Sequence, residues 1–222
     1  MKTTAISAIL LVILIGLASA ATMGSNLVAN GSFDHPDNPL TAWKYKYDRE
    51  GESWYFNNHV NVKVVNDGSR KGVLSLWGDY AILQAPGQGT KVDSLPISFE
   101  SGSTYELSAW GRSSGPTCRL LIEGYRWAPG VKPHLDPDLS ELRKCYKFSQ
   151  LYFGSKKEGT MSEVPKAWSQ GKIVFPDPEM SKSVEARKNL AKIKFVVVHI
   201  VAIGGADGTL FIDDVSIKKV AR

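Results

Sequence analysis

The sequence predicts an all-β protein: an antiparallel β-sandwich of jelly-roll type with two insertions of loop and short helix. Three observations carry that expectation. Short apolar or alternating segments recur between turns rich in Gly, Pro, Asn and Asp, the pattern of antiparallel sandwiches. The two ends of the chain also match. Asn26-Leu27-Val28-Ala29-Asn30-Gly31-Ser32-Phe33-Asp34 and Leu210-Phe211-Ile212-Asp213-Asp214-Val215-Ser216-Ile217 are both short apolar strands carrying oxygen-rich residues. A sheet that joins its first and last strands would gather Asn30, Asp34, Asp213 and Asp214 in one region. Finally, only residues 125–144 and 176–191 depart from strand patterning.

The elements follow in chain order. Residues 1–20 read as a signal peptide, with Lys2 as the positive region, Ala8 to Leu17 as the apolar region and Ala18-Ser19-Ala20 as the cleavage site. The apolar run is shorter than the roughly 18 residues of a spanning helix, and no second such run follows. The expectation is a secreted or periplasmic protein with no membrane span after cleavage, and with residues 21–222 forming one domain. Strands are expected at 26–29, 59–65, 73–77, 80–84, 95–99, 104–112, 117–124, 145–153, 171–175, 192–202 and 209–219. Turns such as Asn66-Asp67-Gly68, Ala85-Pro86-Gly87 and Ala206-Asp207-Gly208 separate them. Within the insertions, Leu135–Leu142 suits a single helical turn. Ser183 followed by Glu185 in the first turn suits a short capped helix.

Charge and cysteine usage exclude some classes. The 27 Lys and Arg against 22 Asp and Glu leave a formal charge of +5, enough for weak attraction to acidic glycans or simply for solubility. No Lys/Arg run resembles a nucleic-acid patch, so no nucleic-acid partner is expected. Cys118 and Cys145 would sit in an oxidising compartment. They either bridge, for a stabilisation of about 3 kcal/mol, or stay free. No zinc-ligand spacing surrounds them.

The ordered set Asn-Leu-Val-x-Asn-Gly-x-Phe-acid, Gly72-Val73-Leu74-Ser75-Leu76, Tyr105-Glu106-Leu107-Ser108-Ala109-Trp110-Gly111-Arg112, Trp168 and Phe-Ile-Asp-Asp-Val-Ser-Ile resembles a known family. It is similar to the CenC-like carbohydrate-binding modules of bacterial cellulases and xylanases, in the galactose-binding-like jelly-roll superfamily. The resemblance implies a structural calcium between the first and last strands, with Asp34 and either Asp213 or Asp214 as carboxylate ligands. Backbone carbonyls near Asn30 and in the turn Asp67-Gly68-Ser69 would complete its shell, in keeping with the oxygen-rich coordination of calcium. The stretches from Gly124 to Lys144 and from Pro176 to Lys188 are longer than the family's usual connections.

A glycan site needs flat aromatic rings beside polar side chains that orient hydroxyls. Along 105–112, Tyr105, Leu107 and Ala109 alternate with Glu106, Ser108, Trp110 and Arg112, so Trp110 and Arg112 fall on the non-core face. Tyr125, Arg126 and Trp127, together with Trp54 and Tyr55, add two loop-borne clusters. Trp43, Trp77 and Trp168 suit core or inter-sheet packing, and His199 suits a satisfied core position. The histidines lack metal spacing, and neither a Gly-x-Ser-x-Gly elbow nor a carboxylate pair suited to glycoside hydrolysis stands out. The expected function is non-catalytic binding of a poly- or oligosaccharide by a monomeric module. The alternatives are a cell-envelope interaction protein that has kept only the fold, and a small glycan hydrolase or lyase.

Overall fold

The computed structural model describes residues 24–45, 58–84, 89–153, 164–177, 179 and 182–220. Within these, two antiparallel sheets pack as a sandwich. Sheet A has the order β1 (Trp43–Lys44), β4 (Thr90–Ser94), β10 (Phe195–Gly205), β7 (Pro116–Trp127) and β8 (Leu142–Leu151), with β5 (Ile97–Ser98) also pairing to β10. Sheet B runs β2 (Val62–Asp67), β3 (Arg70–Gly78), β11 (Gly208–Val220), β6 (Thr104–Ser113) and β9 (Ser169–Phe175).

Strand periodicity sets the core. On β6, Tyr105, Leu107 and Ala109 point inward and are buried, while Glu106, Ser108, Trp110 and Arg112 face out. Leu120 and Ile122 of β7, Val198 and Ile200 of β10, and Leu210, Ile212 and Ile217 of β11 join them in one continuous cluster. Each such buried side chain contributes about 1.5–3 kcal/mol. Trp43 is part of this core, as its position suggested.

The two motif-bearing segments, around 26–31 and 215–217, do lie side by side. Leu27 N–H donates to the Ile217 carbonyl at 2.8 Å, and Val215 N–H donates to the Gly31 carbonyl at 2.8 Å. Residues 26–29, expected as a strand, form no ladder. Asn26 instead uses its side chain, donating Nδ2 to the Val215 carbonyl and accepting from Ile217 N–H on Oδ1. Gly31 must lack a side chain, because a Cβ there would overlap the Val215 carbonyl. This docking coincides with a bulge in β11 between Asp213 and Ser216, where Asp214 has φ 49°.

Local chemistry overrode two strand expectations. Residues 80–84 form helix α2 (Tyr80–Gln84), after α1 (Asn58–Asn61), because the Asp79 carboxylate accepts from Ile82 N–H at 3.0 Å. That turn seats Leu83 in the core against Gly78. The alternating segment from His59 enters the sheet only at Val62. Helix α3 (Val184–Leu190) is capped by Ser183 as expected, and 139–141 forms a 3-10 turn closed by an Asp138/Glu141 capping box.

Cys118 and Cys145 do not form a bridge. Both thiols are free. Cys145 Sγ lies 3.5 Å from the Gly124 carbonyl, six positions along β7 from Cys118, which amounts to about 20 Å of strand. A disulfide needs Cα atoms within about 7 Å.

Candidate functional site

The expected binding residues do not form one cluster. Trp110 and Arg112 lie on the outer face of sheet B, and Tyr125 and Trp127 on the outer face of sheet A. Arg126 alternates to the other side of β7, close enough to Cys145 to favour its thiolate, although burial dominates and raises that thiol's pKa. Trp54 and Tyr55 lie outside the described residues.

One end of the sheet A face is roofed. Tyr125, Leu142 and Val197 form a small second core with Trp127, Leu139 and Phe195 packed against it, so the first insertion covers this end. Trp127 meets Phe195 edge-on at 5.3 Å and His134 at 5.0 Å. Tyr125 and Trp127 therefore serve as a wall here.

The other end is an open depression of about 250 Å³, lined by Lys91, Asp93, Arg119, Leu121, Glu123 and His199 among others. Ladder register explains why they meet, since Asp93 and Leu121 both stand opposite His199 on neighbouring strands. His199 Nδ1 lies 2.8 Å from Asp93 Oδ1, and Nε2 lies 3.3 Å from Glu123 Oε2. The Tyr125 hydroxyl donates to Glu123 Oε2 at 3.1 Å, and Lys144 Nζ donates to Oε1 at 3.2 Å. Burial, then the charges of Glu123 and Asp93, push the Tyr125 phenol well above its usual pKa, so it remains a proton donor.

His199 is thus well satisfied but is not a core residue. It stands on the outer face with 14% of its side chain exposed. No motif in the sequence pointed to Lys91, Asp93, Arg119 and Glu123. A signal was present: Arg119 and Glu123 lie four positions apart, on one face of the apolar run of β7, and His199 shares a face with Val197 and Val201 in β10.

On sheet B, Arg112, Trp168 and Phe211 are tied to one another and to Asp67 and Arg70. Arg112 makes a bidentate pair with Asp67, its Nη2 donating to Oδ1 at 2.6 Å, and Trp168 Nε1 donates to Asp67 Oδ2 at 2.9 Å. The Arg70 guanidinium sits 4.8 Å from the Trp110 ring centroid and 4.7 Å from that of Trp168, while Arg112 lies 4.0 Å from that of Phe211. The Arg112 pair holds the Asp67 carboxyl below its usual pKa, against the opposing effect of burial. Trp168, expected in the core, is therefore a rung of a surface ladder. Trp77, also expected inside, is 42% exposed.

The expected calcium ligands also divide. Arg70 Nη1 donates to Asp213 Oδ2 at 2.6 Å and to Asp214 Oδ2 at 3.1 Å, so a guanidinium already engages one oxygen of each aspartate. The Asn30 amide donates to the carbonyls of Pro39 and Thr41. Gly68 sits in the β2–β3 turn with φ 61°. Among the described residues, no three His, Cys, Asp or Glu converge. A cation at this pair would therefore compete with the Arg70 guanidinium. The carbonyls of Ser32 and Phe33 do converge, at Gly72, where a Cβ would meet them at 2.7 and 2.9 Å. Asp34, next in sequence, accepts from the Ser32 hydroxyl at 2.6 Å.

No protein family model and no curated protein matches the chain. Its fold is similar to those of several solved structures. One is a family 16 carbohydrate-binding module, at 14% identity over 86% of this chain and 99% of that one, with a TM-score of 0.45. Another is the CBM22-1 xylan-binding domain from Paenibacillus barcinonensis, at 13% identity over 91% and 99%, with a TM-score of 0.48. A third is the N-terminal cellulose-binding domain of Cellulomonas fimi β-1,4-glucanase C, at 15% identity over 89% and 99%, with a TM-score of 0.45. All three are binding modules, and the likeness is one of fold. Among the described residues no helix is long and apolar enough to cross a membrane.

Proposed function

We propose that this chain is a secreted, non-catalytic carbohydrate-binding module whose glycan lies on the open end of the sheet A face. The supporting observation is the His199 network, with Asp93 and Glu123 held as fixed acceptors and Arg119 and Lys91 beside them as donors, over the apolar strip of Leu121 and Val201. Sugar hydroxyls need fixed donors and acceptors in close alternation, and the C–H faces of the ring need apolar surface. The carboxylates favour binding over hydrolysis. Asp93 bonds to His199, while Glu123 bonds to His199, Tyr125 and Lys144, so the two do not face each other across a free cleft. Secretion is supported by the leader-like residues 1–20.

The test is retention on insoluble polysaccharides and in affinity gels. Wild-type protein binds at least one polysaccharide, and Arg119→Ala and His199→Ala each weaken that binding about tenfold or more. Unchanged retention in both folded variants would place the glycan elsewhere.

Calcium at the terminal junction is the second part of the proposal. Asp34 and the carbonyls of Ser32 and Phe33 would hold it, hard oxygen donors of the type that calcium takes. Bound there, it would tie the first strand region to β3.

A further inference from the structure

A second depression, of about 470 Å³, opens on the opposite side of the sandwich, on the outer face of sheet B. Its volume lies within the range of about 300–1,000 Å³ typical of small-ligand sites. The floor is a block of four side chains set by register. Ser108 of β6 stands directly opposite Ser216 of β11, and Trp110 of β6 directly opposite Gln170 of β9. The N-terminal segment at Asn26 to Ser32 forms one wall.

Most polar groups in that wall already have partners within the chain. Asn26 bonds the backbone of β11, Asn30 bonds the carbonyls of Pro39 and Thr41, Ser32 bonds Asp34, and Asp214 bonds Arg70. The floor differs. Ser216 Oγ is shielded from bulk solvent and finds no hydrogen-bond partner among the described residues. Leaving such a hydroxyl unmatched is costly, so its presence calls for a reason. It follows directly after the β11 bulge, a device that re-aims side chains. Beside it the Trp110 indole is fixed by the Arg70 guanidinium 4.8 Å from its centroid.

The chemistry of the floor is neutral and two-sided. Serine hydroxyls and the glutamine amide each offer both a donor and an acceptor, as do the hydroxyls of a sugar. The indole offers a flat apolar surface for the C–H face of a pyranose. At the rim, Lys218 and Asp214 carry opposite charges, which gives no net pull on an ionic ligand.

We propose that this depression is a second carbohydrate subsite, separate from the sheet A face, which takes one neutral pyranose ring against Trp110, Ser108, Gln170 and Ser216. It does not rest on the sheet A reading, and either site can fail alone.

The experiment is a ¹H–¹⁵N NMR titration of the whole protein with glucose, galactose, mannose and xylose and their β-1,4-linked oligomers. With at least one of these probes, the Trp110 indole N–H and the backbone amides of Ser108, Gln170 and Ser216 shift saturably. Those shifts persist in Arg119→Ala. They weaken about tenfold in Trp110→Leu and a few-fold in Gln170→Ala. Gln170 is exposed, so its variant keeps the test valid if Trp110→Leu fails to fold. The proposal is overturned if no neutral saccharide moves these resonances, if both variants leave the titration unchanged, or if only uronic acids produce the shifts.

Discussion

The two outer faces of the sandwich use similar residue types to different ends. On sheet A, charges converge on one histidine beside an open depression, and the aromatics are folded under a loop. On sheet B, two arginines interleave with Trp110, Trp168 and Phe211, and Asp67 closes the ladder. Period-two alternation places a charged or aromatic residue outward on both. What decides its role is whether the same face offers a partner of opposite character within reach. Where it does, as at Arg112 with Asp67, the residue serves stability. Arg119, by contrast, stands beside Leu121 and Val201 at the open depression, where the proposed glycan would meet it.

That division can be broken from the sheet B side first. Arg70→Ala removes the only cation among the described residues bonded to Asp213, whose side chain is 5% exposed and whose pKa burial already raises. The expected loss is about 2–3 kcal/mol at neutral pH, read by urea denaturation. A carboxylate whose folded pKa is raised costs stability progressively as pH climbs from its unfolded value to its folded one. Acidification toward pH 5 should therefore recover part of the loss in this variant. Calcium, if held by Asp34 and the carbonyls beside Gly72, raises the Tm of both proteins relative to EDTA. A Tm unmoved by calcium in both would remove the metal from the junction.

A smaller effect belongs to the other end of the ladder. Asp67→Ala leaves Arg112 and the Trp168 indole without their shared acceptor, for an expected cost of about 2 kcal/mol. Because the folded pKa of Asp67 is depressed, its contribution is present above about pH 4 and is lost as pH falls below that. Wild-type and variant stabilities should converge in acid. Polysaccharide retention by sheet A should not change. Equal loss of binding and stability would show that the two faces are coupled.

The architecture was legible because burial imposes alternation. The inward set of β6 and the Ser183 cap follow from residues a few positions apart, and the docking of 26–31 on 215–217 from two matching motifs far apart in sequence. The site was harder to see. Whether Trp110 and Trp127 share a face depends on which sheet β6 and β7 join, and nothing within either segment states that. His199 read as core because β10 is apolar on both sides, its outer residue Val197 being covered by the first insertion. The Arg70 bond to Asp213 spans 143 positions, and an oxygen-rich sequence motif cannot show that the chain already supplies the positive charge.

The roof over sheet A offers the mildest test, since its tie is exposed. His134 faces an acceptor at both ring nitrogens, with Nδ1 2.6 Å from the Leu135 carbonyl and Nε2 3.1 Å from Glu141 Oε1, while its ring lies against Trp127. Both contacts favour the imidazolium, first the carbonyl and then the carboxylate, so its pKa in the folded protein is raised above the usual 6.5 or so. A raised histidine pKa stabilises fully below the unfolded value and ceases to do so as pH rises through the folded one. The loop at 128–141 should therefore be cut faster by a broad-specificity protease at pH 8 than at pH 6, after normalising for protease activity on an unfolded substrate. His134→Ala should be cut at the faster rate at both pH values. Because the tie lies in solvent, the change should be a few-fold in rate with no resolvable change in global stability. If cleavage of the wild type ignores pH, then Trp127 and Leu139 alone hold the roof, and the open end of sheet A keeps its shape by packing rather than by charge.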